Sequence, residues 1–395
     1  MKRIEMIDVV IILLAVLVVA LGTVVFFGDM VPAPEQEQTL QAEELVLSTD
    51  VEEEELPAET AAPTEMPTEE PTEAPTEAPT EAPTEPQPER FVLTFVGDCT
   101  LGCNAKMVNM QSAFPLPVGD DYGYPMRNVV EYFENDDYSF ANLEGVLGDK
   151  GKAQSKKYVF RGSGEYTQIL TGSSIEGVTI ANNHSRDYGE EGYEETKTLL
   201  AGAGVDYVET MSSIMIITDS GLKIGIYAAD SSLQAVDQEQ ILEGIRQLKE
   251  DGAELIVCAF HWGSENSFRA TAAQIRLGHA AIDAGANIVW GHHPHVLQPI
   301  EEYNGGIIYY SLGNFAFGGN SAPKDLDTAL LQQEVIRELD GSITLGELTI
   351  VPCSVSSITG TNNFQPTPYE EGSKEYERVL SKLDGSYKGA NLTIG

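Results

Sequence analysis

The sequence predicts an α/β domain held outside the cell behind one transmembrane helix and a disordered stalk. Three observations predict it: a charge-free apolar run near the start, a Pro/Thr/Glu repeat after it, and short apolar runs alternating with helical patterns from Phe91 onward. They divide the 395 residues into a cytoplasmic N-terminus with its anchor (1–30), a stalk (31–90), a folded domain (91–365) and a C-terminal helical tail (366–395).

Lys2 and Arg3 precede the uncharged stretch Val9–Phe27, whose 19 residues span about 28 Å as a helix, close to the hydrocarbon thickness of a bilayer. A signal-peptide core is shorter and ends at a small-residue cleavage site. None follows Phe27, so the run reads as a retained anchor. The basic N-terminus stays inside, which makes this a single-pass protein of the cell membrane with its folded domain outside. From Pro63 the unit PTE recurs every four residues. Proline fixes φ and removes a donor while the glutamates repel one another, so the segment is an extended spacer that cannot bury a core.

The formal net charge is −39. Residues 31–90 hold 18 acidic residues against Arg90 alone, so the rest still carries roughly −22. Nucleic acid is excluded as a partner, because its phosphates call for Lys/Arg patches. Four cysteines in so long a chain are not a disulfide scaffold. Cys258, inside LIVCAF, reads as a buried thiol. Cys99 and Cys103 read as unpaired packing residues, with a disulfide between them as the alternative.

FVLTFV (91–96), GVTIA (177–181), LKIGIYA (222–228), LIVCAF (255–260), NIVW (287–290) and GIIYYS (306–311) read as buried strands. Residues 190–204, 238–253 and 271–286 show helical periodicity closed by glycine. That alternation places helices on sheets. The unusual polar residues come just after the strands: GD, NNH, HWGSE, GHHPH and LGN. Ligands bind at the carboxyl ends of strands in such folds, so five motifs placed alike converge on one site.

Five of the six histidines lie in those motifs: His184, His261, His292, His293 and His295. The sixth, His279, sits mid-helix and reads as structural. Joined by Asp98, Glu144 and Asn183, the five read as a metal or catalytic site. Mixed oxygen and imidazole donors suit Mn, Fe or Zn, and no cysteine pairs mark a structural zinc site. About six protein ligands exceed one tetrahedral ion and fit two divalent ions about 3.5–4 Å apart. His184 reads as proton donor or oxyanion stabiliser, and Asp187 either orients its imidazole or caps the following helix.

The ordered series VGDCTLG, FANLEG, ANNHSRDYGEEG, FHWGSE, GHHPHVLQPIE and YSLGNFAFG resembles the bacterial capsule-synthesis, poly-γ-glutamate biosynthesis (CapA-like) family over residues 91–320. That family is similar to the calcineurin-like metallophosphatases, which implies two packed mixed sheets flanked by helices. The resemblance implies Asp98 as first-motif ligand, Glu144 as bridging carboxylate, Asn183 with His184 as the Asn-His pair, and His261, His293 and His295 as further ligands. GHHPH offers two registers, and H-x-H spacing favours His293 over His292. Two departures stand out. Thr100 occupies the position of the histidine in the superfamily's D-x-H motif, and the bridging residue is Glu rather than Asp. One ion weakly held, or a mononuclear site, therefore stays open.

The resemblance thus implies a protein of capsule or poly-γ-glutamate biosynthesis with a hydrolase-type site that uses metal-activated water. Its implied partners are an anionic surface polymer or its precursor, the membrane through residues 9–27, and polymer synthase or export subunits. Two other readings remain: a non-catalytic accessory subunit of a synthesis and export complex, and an extracellular phosphodiesterase or nucleotidase. Trp262 reads as core filler or pocket wall, and Glu265 as a partner of a ligand histidine or a solvated charge. Asn142 and Asn314 read as turn residues or supporting amides. Lys156, Lys157 and Arg161 form the most basic stretch and read as a solvated loop or a contact for an anionic polymer, and Tyr369–Leu383 reads as a surface amphipathic helix.

Overall fold

The computed structural model describes residues 86–393 except 109, 111, 112 and 233–235. The apolar run Val9–Phe27 and the spacer as far as residue 85 lie outside these residues. Among the described residues no helix is long and apolar enough to cross a membrane.

The first half of the domain builds one sheet. Strand β1 (Glu89–Thr100) is followed by β2 (Tyr138–Leu143), β3 (Gly177–Thr179) and β4 (Asp206–Val208), each parallel to the one before. Helix α1 (Gly189–Ala203) joins β3 to β4. The chain then lays down a second sheet from β5 (Ser212–Ile217), β6 (Lys223–Asp230), β7 (Leu255–His261), β8 (Ile288–His292), β9 (Leu297–Tyr303) and β10 (Gly306–Leu312). Helices α2 (Gln238–Glu250) and α3 (Ala272–Ala284) make its crossovers. The order is β9-β10-β8-β7-β6-β5, parallel in the middle and antiparallel at both edges.

Strand β11 (Asn314–Phe317) returns to the first sheet beside β1, and β12 (Asp327–Arg337), β13 (Ile343–Ser354) and β14 (Thr367–Pro368) extend it. Its order becomes β14-β13-β12-β1-β2-β3-β4. Helix α4 (Lys374–Leu383) closes the domain.

Local chemistry accounts for these elements. Every residue of β7 is buried, as its apolar run up to His261 requires of a strand covered on both faces. Asp237 caps α2 by accepting from Glu239 N and Gln240 N, and Thr271 with Gln274 forms a capping box on α3. Helix α3 stops at Gly285, which takes the left-handed conformation.

The two sheets pack face to face through an aromatic cluster. Phe95 stacks on Phe140 with ring centroids 4.8 Å apart and meets Trp290 at 5.8 Å and Tyr309 at 5.7 Å. The Trp290 indole then donates to Val96 O at 2.9 Å, tying the second sheet to β1 two residues before Asp98. Gly97 lets the backbones meet there: a Cβ on it would lie 2.1 Å from Gly313 O. All four cysteines are buried and unpaired.

Helix α4 is bound more deeply than a surface amphipathic helix. Val379 and Leu383 enter the core, and Lys382 is only 2% exposed. Lys382 Nζ lies 2.7 Å from both Asp325 Oδ2 and Asp327 Oδ2, and Arg378 grips Asp327 through Nε at 2.6 Å and Nη2 at 2.7 Å. Burial alone would raise the Asp327 pKa, but the Arg378 bonds and the Lys382 charge overcome it and hold the carboxyl below its usual range.

A group depressed in this way stabilises the fold above its unfolded-state pKa and loses that contribution as pH falls through the folded value. Asp327→Ala is therefore expected to cost about 3 kcal/mol in denaturant unfolding at neutral pH. Glu375→Ala, at the exposed 3.9 Å pair with Arg378, is expected to change stability by less than about 0.5 kcal/mol. The deficit of Asp327→Ala should shrink in acid, and a deficit of constant size at all pH values would refute the ion-pair account.

Candidate metal centre

Strand register brings the polar motifs together. Asp98, near the end of β1, lies beside Asn142 of β2 on one side and Asn314 of β11 on the other. His261, last in β7, lies between Asp230 of β6 and His292 of β8. Because the sheets face each other with these ends aligned, His292 Nδ1 donates to Asp98 Oδ1 at 2.9 Å across the interface. The loop after β8 turns sharply enough to put both His293 (φ 94°) and His295 (φ 56°) in the left-handed region. Strain of that kind persists where surrounding structure enforces it.

Glu144 is at the centre. It is fully buried, and neither carboxylate oxygen has a hydrogen-bond partner among the described residues. Three imidazole Nε2 atoms surround its Oε1: His261 at 3.8 Å, His295 at 3.9 Å and His184 at 4.0 Å. These separations are too long for hydrogen bonds. They match donors around a small cation, since ligands each about 2.1 Å from an ion sit roughly 3–4 Å apart. Donor atoms of Asp98, Glu144 and His295 all lie within 4.8 Å of one another. Asn183 Oδ1 is 2.8 Å from His261 Nε2, and the His261 and His293 rings are 4.9 Å apart. The residues present thus fit a divalent ion: an orphaned carboxylate, neutral imidazoles and one amide oxygen.

Electrostatics sort the groups by role. Burial and the neighbouring imidazoles depress His261 far below the usual histidine value, and burial with the His295 charge depresses His293 to about 3. Burial also lowers His184, against the pull of Asp187. Each keeps a lone pair at neutral pH. His295 is the exception: burial opposes its charge, but Glu144 and Asp98 lift it to about 10. Burial raises Glu144 to about 8, with His295 opposing and Asp98 and Asp187 adding to the rise. Asp98 goes the other way, because its bonds to His292 and His295 overcome burial.

His184 is set apart by its bonds. Its Nδ1 donates to Asp187 Oδ2 at 2.8 Å, its ring packs on Phe160 at 4.3 Å, and its backbone N donates to Asn182 Oδ1. Asp187 also accepts from Phe160 N at 2.6 Å and pairs with the Lys156 ammonium. It does not cap α1, whose N-cap is Tyr188. Lys156 further donates to Asn183 O, and Arg161 lies over the Tyr188 ring, so much of the basic stretch is tied into the site's own scaffold.

The supporting amides go beyond what the motifs announced. Asn182 donates to Asn142 Oδ1 at 3.0 Å, and Asn142 donates to Asp98 Oδ1 at 2.9 Å, a buried relay that fixes the first carboxylate. Asn314 Oδ1 sits 2.9 Å from His295 Nδ1, and its amide donates to His295 O. Asn182 was hidden in ANNH beside the more conspicuous Asn183. Trp262 is core: it is buried, and its indole donates to Tyr310 O at 2.9 Å. His279 lies away from the cluster, stacked on Tyr303 and 3.0 Å from Glu301.

Residues 92–319 match the sequence profile of the family described as bacterial capsule synthesis protein PGA_cap. The chain is 31% identical over 271 residues to the capsule biosynthesis protein CapA of Bacillus anthracis, covering 62% of this chain and 64% of that one. It therefore spans less than two thirds of that relative. Against the PGA biosynthesis protein CapA of Bacillus subtilis it is 29% identical over 312 residues, covering 73% and 77%. A probable polyglutamine synthesis accessory protein of Mycobacterium tuberculosis is 28% identical over 232 residues, covering 51% and 60%. Among solved structures, the Haemophilus influenzae NAD nucleotidase is 10% identical with a TM-score of 0.38, covering 76% of this chain and 57% of that one. The yellow lupin purple acid phosphatase PPD1 is also 10% identical, with a TM-score of 0.32 and coverage of 78% and 58%. Those two scores are too low to establish a common topology. The profile, by contrast, spans more than half of the chain and takes in every strand-end motif from VGDCTLG to YSLGNFAFG. The chain belongs to the bacterial capsule synthesis protein family.

Proposed function

We propose that this protein acts in capsule or poly-γ-glutamate biosynthesis as a membrane-anchored, extracytoplasmic hydrolase or transferase dependent on divalent metal. The observation that carries the reading is Glu144, a fully buried carboxylate with no hydrogen-bond donor and three imidazoles 3.8–4.0 Å away. Asp98, Glu144, Asn183, His261, His293 and His295 would hold the metal, as two ions of Mn, Fe or Zn. Metal bound there supplies Lewis acidity and a water acidic enough to ionise near neutral pH.

The chain's own contribution is proton placement. Asp187 fixes Nδ1 of His184, so Nε2 faces Glu144 and is free to accept or return a proton at an amide or phosphoester centre. Lys156 occupies the other oxygen of Asp187 and holds that carboxylate still. The partners would be the anionic polymer or its precursor and the synthase or export subunits that deliver it. A second reading, a non-catalytic accessory subunit, is favoured by Thr100. Its buried hydroxyl has no hydrogen-bond partner among the described residues and stands where the superfamily pattern places an imidazole.

Full-length protein extracted in detergent without a tag should contain at least one equivalent of Mn, Fe or Zn by elemental analysis. Less than about 0.3 equivalents, with no response to added metal, sinks the metal reading. Hydrolysis of a generic phosphodiester should fall at least about 100-fold in His184→Ala and stay unchanged in His279→Ala. Bound metal without any turnover would leave the accessory role.

Stability gives an independent readout. Glu144 is lifted to about 8, so the folded state keeps a proton that the unfolded chain has released, and stability declines as pH rises between the two pKa values. With chelator at pH 8, Glu144→Gln should therefore melt above the wild type, and added Mn should reverse the order. An unchanged order would show that Glu144 holds no cation. For the anchor, protease added to intact cells should remove the folded domain; its survival would contradict the topology.

A further inference from the structure

Glu265 lies on the solvent side of the buried cluster. Its carboxylate, one donor atom of His293 and one of His295 all lie within 4.8 Å of one another. The inner group of Asp98, Glu144 and His295 shares His295 with it. Glu265 is exposed, whereas His293 is only 6% exposed and its Nδ1 has no hydrogen-bond partner among the described residues. Two imidazoles and one carboxylate form a donor set suited to Mn, Fe or Zn.

The loop holding Glu265 is pinned on both sides. Trp262 N donates to His292 O at 3.0 Å, and Asn266 N donates to Pro294 O at 2.8 Å, which stitches the loop to the His293–His295 turn. From the other side Leu392 N donates to Asn266 O at 3.0 Å, and Asn391 Oδ1 accepts from Phe268 N at 3.0 Å. The backbone that carries Glu265 is thus held beside the two histidines by bonds from segments far apart in sequence.

We infer that Glu265 joins His293 and His295 in holding the outer of the two ions, on the solvent side where an anionic substrate would approach. The inference rests on the reading of the buried cluster as a metal centre. Without a cation, Glu265 would place negative charge at the mouth of a site already lined by Asp98 and Glu144 and repel such a substrate. With one bound, the same carboxylate holds in place the cation that would attract it.

The test is calorimetric titration of full-length, untagged, chelator-stripped protein with Mn²⁺ alone. Wild type and the His279→Ala control are expected to bind two ions. Glu265→Gln should retain the tighter one and bind the other at least about 10-fold more weakly, the lower end of what losing even an outer partner costs a metal site. Because Glu265 is exposed, Glu265→Gln should melt with the wild type under chelator, which separates lost binding from lost fold. Two ions at unchanged affinities in Glu265→Gln would overturn the outer position and leave the metal centre standing. No binding by wild type would overturn the metal centre and the outer position together.

Discussion

A carboxylate buried without a donor is the constraint on which the rest of this site depends. Ionising a buried carboxylate costs on the order of several kcal/mol even after relaxation, and among the described residues no hydrogen bond to Glu144 offsets it, so its pKa rises to about 8. His295 offsets part of the charge, yet three further imidazoles stay neutral around the same pocket. A core selected for stability alone would not keep such an arrangement, and replacing these groups by apolar ones of similar volume would be neutral or favourable. The arrangement makes sense when a cation completes it, and the protein then carries in its folded state a debt that ligand binding settles.

The fold meets that constraint with two devices. One is register: β2 and β11 flank β1 so that Asn142 and Asn314 stand on either side of Asp98, and each amide reaches a group of the cluster. The other is the lock between sheets, where Trp290 reaches Val96 O and the aromatic cluster fixes the depth of packing. A shift of one residue in β1 would turn Asp98 away from the site, because side chains alternate along a strand. Gly97 contributes by removing the side chain that would hold β1 away from Gly313.

The sequence made the strand-end motifs legible because each pairs a continuous apolar run with an abrupt polar residue. β1, β3, β7, β8 and β10 were visible for that reason, β6 from its apolar run alone, and α1, α2 and α3 from their periodicity. Strand β2 was not: YSFANL mixes Ser139 and Asn142 into a buried strand, and only its neighbours show why those polar groups are tolerated. The long pair β12 and β13 was hidden likewise, since half-buried polar residues such as Gln332 and Glu334 interrupt its apolar run. Helix α4 was legible as amphipathic, but not the burial of Lys382, which depends on two aspartates more than fifty residues away. At the site, the residue types were readable and the pairings were not. That His292 would meet Asp98 is a fact about two sheets, and neither motif contains it.

Charge connects the site to the rest of the chain. On the proposed reading, an anionic polymer would approach a protein that carries roughly −22 outside residues 31–90, and net repulsion would oppose it. A cation held where Asp98, Glu144 and Glu265 gather around the histidines would, on that reading, supply the attraction. Specificity would then arise from the contrast between an acidic surface and the bound metal, without a large binding groove.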